Sequence, residues 1–262
     1  MPRLQGNGAA FDVVFDGPVE APCLVLSNSL GSTHEMWTRQ VEPFARHFRV
    51  LRYDTRGHGR STVTPGPYTI ELLAQDVLAL LDAAGIERAH FCGLSMGGAT
   101  GLWLAAHAPA RFDRFVFCNT APWLGPPATM LERATAVRRD GLAKLADATM
   151  QRWFTEEFRA RQLQAVATIR SAFLATPPEG YAACCEALAH YDERGHLASI
   201  HRPVLVVAGL HDPAPPIATA RDYAARIPGA RLVELPAAHL SNVGAAEEFN
   251  AAVLEFLMTG EK

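Results

Sequence analysis

The chain has 262 residues, of which 49% are hydrophobic and 19% charged, enough to bury a full core as one domain or as one domain carrying an insertion. A formal charge of -3 and the lack of a basic cluster leave no electrostatic footprint for nucleic acid or a membrane surface. The segment Met1 to Gly8 has no signal-peptide apolar centre and no run approaches a membrane span, so the expectation is a cytoplasmic protein whose partner is a small-molecule substrate, not nucleic acid or a membrane.

Along the chain, Phe11-Asp12-Val13-Val14-Phe15 alternates and predicts an early antiparallel strand closed by Asp16-Gly17-Pro18. The continuous runs 23–26, 50–53, 90–92, 115–118, 204–207 and 232–235 read as strands buried on both faces, the pattern of a parallel sheet. Between them, residues 70–84 place Leu73, Val77, Leu80 and Leu81 on one helical stripe that stops at Gly85. Residues 245–258 repeat the pattern with Phe249, Val253, Phe256 and Leu257. Alternating strand and helix predict an α/β fold with a mostly parallel central sheet and helices on both faces. From about Pro126 to Asp192 the strands disappear, and amphipathic stretches predict a helical cap inserted between strands. The expected division is a core of residues 1–122 and 193–262 with a cap of residues 123–192. Its aromatics Trp153, Phe154, Phe158, Phe173 and Tyr181 either line a pocket or join cap to core.

The five cysteines show no metal spacing. Cys23, Cys92 and Cys118 sit in apolar runs, and the vicinal Cys184-Cys185 pair is assigned to packing. There is no His-Glu-x-x-His and no Gly-x-Gly-x-x-Gly turn after a strand, so neither a metal nor an organic cofactor is expected.

Chemistry is concentrated at Gly93-Leu94-Ser95-Met96-Gly97, between the apolar run 90–92 and a helix-forming stretch. A serine that leaves a strand and starts a helix in one turn is forced into strained backbone angles that only small neighbours tolerate. The turn raises the Ser95 hydroxyl over the sheet edge, and the helix directs its free amides at any anion formed there. Asp212 in Gly209-Leu210-His211-Asp212-Pro213 and His239 in Ala237-Ala238-His239-Leu240 each follow a late strand, giving the order Ser, Asp, His. His239 then serves as proton acceptor and Asp212 orients it, while His211, as neighbour of the acid, faces away. A further acid position after the run 115–118 holds Asn119, which strengthens the case for Asp212. The oxyanion hole combines the Met96 amide with that of Leu30 in the loop Ser27-Asn28-Ser29-Leu30-Gly31-Ser32. Asn28 and Ser29 either contact substrate or satisfy turn backbone.

With Arg52-Tyr53-Asp54-Thr55-Arg56-Gly57-His58-Gly59-Arg60-Ser61 added to these loops, the chain resembles the α/β-hydrolase family over nearly its whole length. The segments Ser27-Asn28-Ser29-Leu30-Gly31, Met36-Trp37, Phe91-Cys92-Gly93-Leu94-Ser95-Met96-Gly97-Gly98, Cys118-Asn119-Thr120-Ala121 and His239-Leu240-Ser241-Asn242 look like those of 3-oxoadipate enol-lactonases of aromatic-compound degradation. Arg152-Trp153-Phe154-Thr155 and Glu179-Gly180-Tyr181-Ala182 extend the likeness into the cap, whereas Ala214 stands where relatives often have Thr. The resemblance implies hydrolysis of a small carboxylated enol-lactone to 3-oxoadipate through an acyl-enzyme on Ser95. Composition and spacing stop at serine hydrolase. Trp123 and Trp153 are expected to shape the substrate pocket, and Arg133 or another cap arginine to hold the substrate carboxylate, the alternative for Arg133 being a solvated helix face. Two other readings share the fold: a capped hydrolase acting on carbon-carbon bonds of ring-cleavage products, on simple esters or in perhydrolysis, and a triad-bearing small-molecule receptor.

Overall fold

The computed structural model describes residues 3–259. Its centre is an eight-stranded sheet formed by β1 (Arg3–Gly6), β2 (Ala9–Asp16), β3 (Cys23–Ser27), β4 (Arg49–Tyr53), β5 (Ala89–Leu94), β6 (Phe112–Cys118), β7 (Val204–Gly209) and β8 (Arg231–Leu235), in the spatial order β1-β2-β4-β3-β5-β6-β7-β8. The first three in that order pair antiparallel and all later neighbours pair parallel. Every residue of β3, β5 and β7 is buried, which is why these strands read as unbroken apolar runs. Side chains still alternate between faces. Leu24, Leu26, Val116, Leu205 and Val207 join one core, and Val25, Phe91, Phe115, Phe117 and Val206 join the other.

Helices α1 (Thr38–Ala45), α2 (Ile70–Ala83) and α3 (Met96–His107) follow the early strands. Thr69 caps α2 by accepting from the Leu72 amide at 3.0 Å, and Gly85, with φ of +67°, ends the segment, so the expected stripe lies where the spacing put it. Between β6 and β7 run α4 (Pro127–Asp140), α5 (Ala143–Trp153), α6 (Glu156–Arg161), α7 (Leu163–Leu174) and α8 (Pro178–Ala189), with no strand among them. A single antiparallel bridge between Trp123 and Asp192 ties the two ends of this insertion together. The chain finishes with α9 (Ile217–Arg226), the one-turn α10 (Ser241–Gly244) and α11 (Ala246–Met258), whose Phe249, Val253, Phe256 and Leu257 enter the same core as Phe44 of α1. The stretch 245–258 begins one residue later as a helix than expected. β1 has no counterpart in the sequence reading, because this edge strand alternates exposed and half-buried residues and shows little apolar signal. Among the described residues no helix is long and apolar enough to cross a membrane.

The loop 54–61 joins the sheet, the Leu30 loop and the insertion. Asp54 accepts from the amides of His34 at 2.9 Å and Arg60 at 3.0 Å, and Arg56 grips Asp76 through two buried bonds of 2.8 and 2.5 Å. Gly57 lies directly against Gly180 of α8, where a Cβ on either residue would overlap the other's backbone. His58 is fully buried and its Nε2 lies 2.9 Å from the Gly31 amide. An N–H can only donate, so Nε2 is the acceptor and the proton sits on Nδ1, facing the Arg56 carbonyl at 3.3 Å. Burial lowers the His58 pKa to about 4.

This depressed value sets an acid limit on the fold. From the ordinary value of 6.5 down to about 4, the unfolded chain binds a proton at this ring that the folded chain refuses, so stability falls with pH through that window and is unaffected by His58 above it. The difference corresponds to about 3 kcal/mol by pKa linkage. His58→Gln keeps a hydrogen-bond acceptor but does not titrate, and urea unfolding of both proteins between pH 4 and 7 should show a shallower loss in the variant. Parallel pH profiles would mean that His58 ionises as readily in the fold as in the open chain.

Candidate active site

Ser95 links β5 to α3 with φ 57° and ψ -111°, a conformation that costs a non-glycine residue roughly 1–3 kcal/mol. Packing holds it there. A Cβ on Gly93 would overlap the Gly97 carbonyl, and one on Gly97 would overlap the Ser27 carbonyl, so the turn is pressed between β3 and its own helix. Backbone bonds secure it on both sides: the Ser95 amide donates to Cys118 O at 2.8 Å, the Gly97 amide to Asn28 O at 2.9 Å, and the Thr120 hydroxyl to Ser95 O at 2.8 Å.

Ser95 and His239 line one cavity of about 310 Å³ together with Ser29, Leu30, Trp123, Arg133 and Arg152. His239 Nδ1 lies 2.8 Å from Asp212 Oδ2. The Asp212 carboxylate also accepts from Asn119 Nδ2 at 2.9 Å and from the Ala214 amide at 2.9 Å. Asn119, itself at a positive φ of 46° at the end of β6, is fixed in turn by the Ser241 hydroxyl, which donates to its Oδ1 at 2.5 Å. The residue in the second expected acid position is therefore a donor to Asp212. His211 is exposed beside Asp212. The histidine loop is held from the insertion as well, because the Leu240 amide donates to Trp153 O at 3.1 Å.

The amides of Leu30 and Met96 have no acceptor among the described residues. Met96 opens α3, where the first amides have no intrahelical partner, and the Gly97 to Asn28 bond brings the Leu30 loop against that helix start. The two sides of the cavity differ in charge. Arg133 and Arg152 lie in its wall, and among the described residues no carboxylate forms a direct ion pair with either. Arg152 Nε is buried without a partner, and burial, then repulsion from Arg133, lowers the pKa of the Arg152 guanidinium.

Asn28 and Trp153 occupy different surroundings from the other expected pocket residues. Asn28 is fully buried, with Nδ2 donating to Tyr53 O at 2.6 Å and Oδ1 accepting from Trp37 Nε1 at 2.9 Å, so its amide is consumed in shaping the loop. The Trp153 indole packs edge-on against Phe173 at 5.7 Å and is not among the residues lining the cavity. Sequence reasoning named Asn119 only for its lack of a carboxylate, not as a donor to Asp212, and covered Arg152 only as one of the cap arginines beside Arg133. Cys184 and Cys185 are buried and part of the core, with the Cys185 thiol pushed up to about 12 by burial.

Comparison with known proteins places this geometry. Residues 22–246 match the family model described as alpha/beta hydrolase fold. The chain is 42% identical over 250 residues to 3-oxoadipate enol-lactonase 2 of Acinetobacter baylyi, covering 95% of this chain and 94% of that one. It is 41% identical to 3-oxoadipate enol-lactonase 1 of the same organism, over 93% of this chain and 91% of the other. The crystal structure of the enol-lactonase from Burkholderia xenovorans LB400 superposes with a TM-score of 0.97 at 47% identity, covering 98% of this chain and 100% of that one. Because the family pattern runs from β3 across the insertion to the histidine loop, the chain belongs to the α/β-hydrolase family.

Proposed function

We propose that this protein is a serine hydrolase that opens a small carboxylated enol-lactone, 3-oxoadipate enol-lactone, to 3-oxoadipate. The observation that carries the reading is the pairing, in one cavity, of the strained Ser95 and His239 with two arginines that lack a carboxylate partner. The lactonase names of relatives matched over nearly the full chain support the same substrate class.

In this reading Ser95 Oγ attacks the lactone carbonyl while His239 takes its proton, and Asp212 holds the imidazole through Nδ1 and stabilises its charged form. The carbonyl oxygen, now an anion, rests on the amides of Leu30 and Met96. The ring C–O bond then breaks, His239 returns the proton to the departing enol oxygen, and the enol, which tautomerises to the ketone, stays tethered through the acyl group until deacylation. Water, deprotonated by His239, attacks the acyl-enzyme and frees the second carboxylate and the Ser95 hydroxyl. These steps are acyl and proton transfers carried by side chains and amides. Ser29 and Trp123 line the substrate's path, Arg133 and Arg152 hold its carboxylate, and Asn28 and Trp153 act through the loops they support. Residues 123–192 serve as the cap that closes over this site.

Ser95→Ala should lower turnover by at least about a thousandfold with an unchanged circular dichroism spectrum, because the strain of the turn resides in the backbone. Substantial activity in that variant would remove Ser95 from the nucleophile's role. For the acid, Asp212→Asn should lower kcat by roughly a thousandfold or more, and adding Asn119→Asp should recover part of the loss, since that side chain already approaches the same carboxylate. A kinetically silent Asp212→Asn would place the orienting acid elsewhere.

Replacing Arg152 or Arg133 by Gln should raise KM for the carboxylated lactone by about tenfold or more while leaving hydrolysis of a neutral p-nitrophenyl ester nearly unchanged. Equal catalytic efficiency of the wild-type protein on the lactone acid and its methyl ester would show that no anion site exists and would turn the reading toward a general esterase.

A further inference from the structure

At the end of α3 remote from Ser95, three side chains converge on one point that the proposed reaction does not use. His107 is the last residue of α3, while Glu193 and His196 lie on the segment returning from the insertion toward β7. His107 Nε2 is 3.3 Å and His196 Nδ1 2.7 Å from the same atom, Glu193 Oε2, and the donor atoms of all three lie within 4.8 Å of one another. The carboxylate is buried, the two imidazoles are half-exposed, and among the described residues no lysine or arginine forms an ion pair with Glu193. Its backbone is fixed independently, the Glu193 amide donating to Pro122 O at 2.7 Å.

We propose that His107 Nε2, Glu193 Oε2 and His196 Nδ1 form a three-ligand site for a borderline divalent transition metal of the Zn2+ class. Tetrahedral zinc with bonds of about 2.0–2.1 Å sets its ligand atoms roughly 3.3 Å apart, the His107–Glu193 spacing already present. The shorter contact opens by rotation of the half-exposed His196. Two neutral imidazoles and one carboxylate favour zinc over magnesium or calcium, which demand oxygen ligands, and the exposed side leaves room for a water as fourth ligand. A second cluster, Asp12, His34 and Asp54, shows what such a site is not: Arg60 already pairs with Asp12, and backbone amides occupy Asp54. The α3 axis separates His107 from the serine by roughly 18 Å, so the metal is a clamp and not a participant in hydrolysis. It ties the end of the nucleophile helix to the returning chain.

The test uses chelator-stripped, tag-free protein titrated with Zn2+ against a chromophoric chelator, with thermal unfolding measured alongside. The expected result is one Zn2+ per chain at micromolar affinity, a Tm raised by several degrees, and affinity reduced at least about tenfold in His196→Gln and in His107→Gln. Trp103, whose ring lies 4.6 Å from that of His107, supplies a second readout through quenching by Co2+. Hydrolytic activity should be the same in stripped and zinc-loaded protein. Absence of stoichiometric binding, or equal affinity in folded His196→Gln, would overturn the site.

Discussion

Everything in this molecule is arranged around a backbone that has no room. Between β5 and α3 the chain reverses where β3 and the first turn of its own helix leave space for hydrogen atoms only, and Ser95 sits at the crest with a positive φ. The strain of roughly 1–3 kcal/mol is offset by bonds from three neighbours, each worth about 1 kcal/mol net. Those neighbours are the strands and loops that supply the rest of the site. β3 leads into Asn28 and the Leu30 loop, β6 ends at Cys118 just before Asn119 and Thr120, and β7, whose Val207 carbonyl accepts from the Asn119 amide, ends three residues before Asp212. The parallel order of strands therefore does two things at once: it braces the serine and delivers its partners to the same edge.

Polar groups next to the site form a chain of dependence. Ser241 fixes Asn119, Asn119 and the Ala214 amide fix Asp212, and Asp212 fixes His239. On the opposite side, neutral His58 receives the Gly31 amide and Asn28 spends its amide on Tyr53 and Trp37, so the Leu30 amide is held by residues that stay out of the cavity. The cavity itself combines apolar walls with two guanidiniums that have no carboxylate partner among the described residues. Such a site repels a second cation and strengthens any hydrogen bond to an anion by excluding water.

The sheet was legible because burial on both faces leaves continuous apolar runs, and the serine turn because close packing demands glycine at Gly93 and Gly97. Asp212 and His239 were picked out by their place after strands, and the hydrogen bond between them is what folding adds. Asn119 was visible as the absence of a carboxylate, but its role as donor depends on a contact across 93 positions of sequence. Arg152 could not be told from other arginines, since helical insertions carry many and only packing decides which of them faces inward. Asn28 read as equally suited to substrate or turn, because its neighbours Tyr53 and Trp37 are brought to it by folding alone. β1 was silent, its pairing being made by backbone and not by apolar side chains.

The bridge between Trp123 and Asp192 gathers the two ends of the insertion at one point on the rim of the sheet. A segment leaving and rejoining a scaffold side by side places no length requirement on that scaffold, and its closure entropy grows only slowly with added residues. The insertion is thereby a module, open to lengthening or exchange without disturbing strand register. One tight condition is where Gly57 and Gly180 meet backbone to backbone. A transplanted insertion must bring its own glycine to that spot.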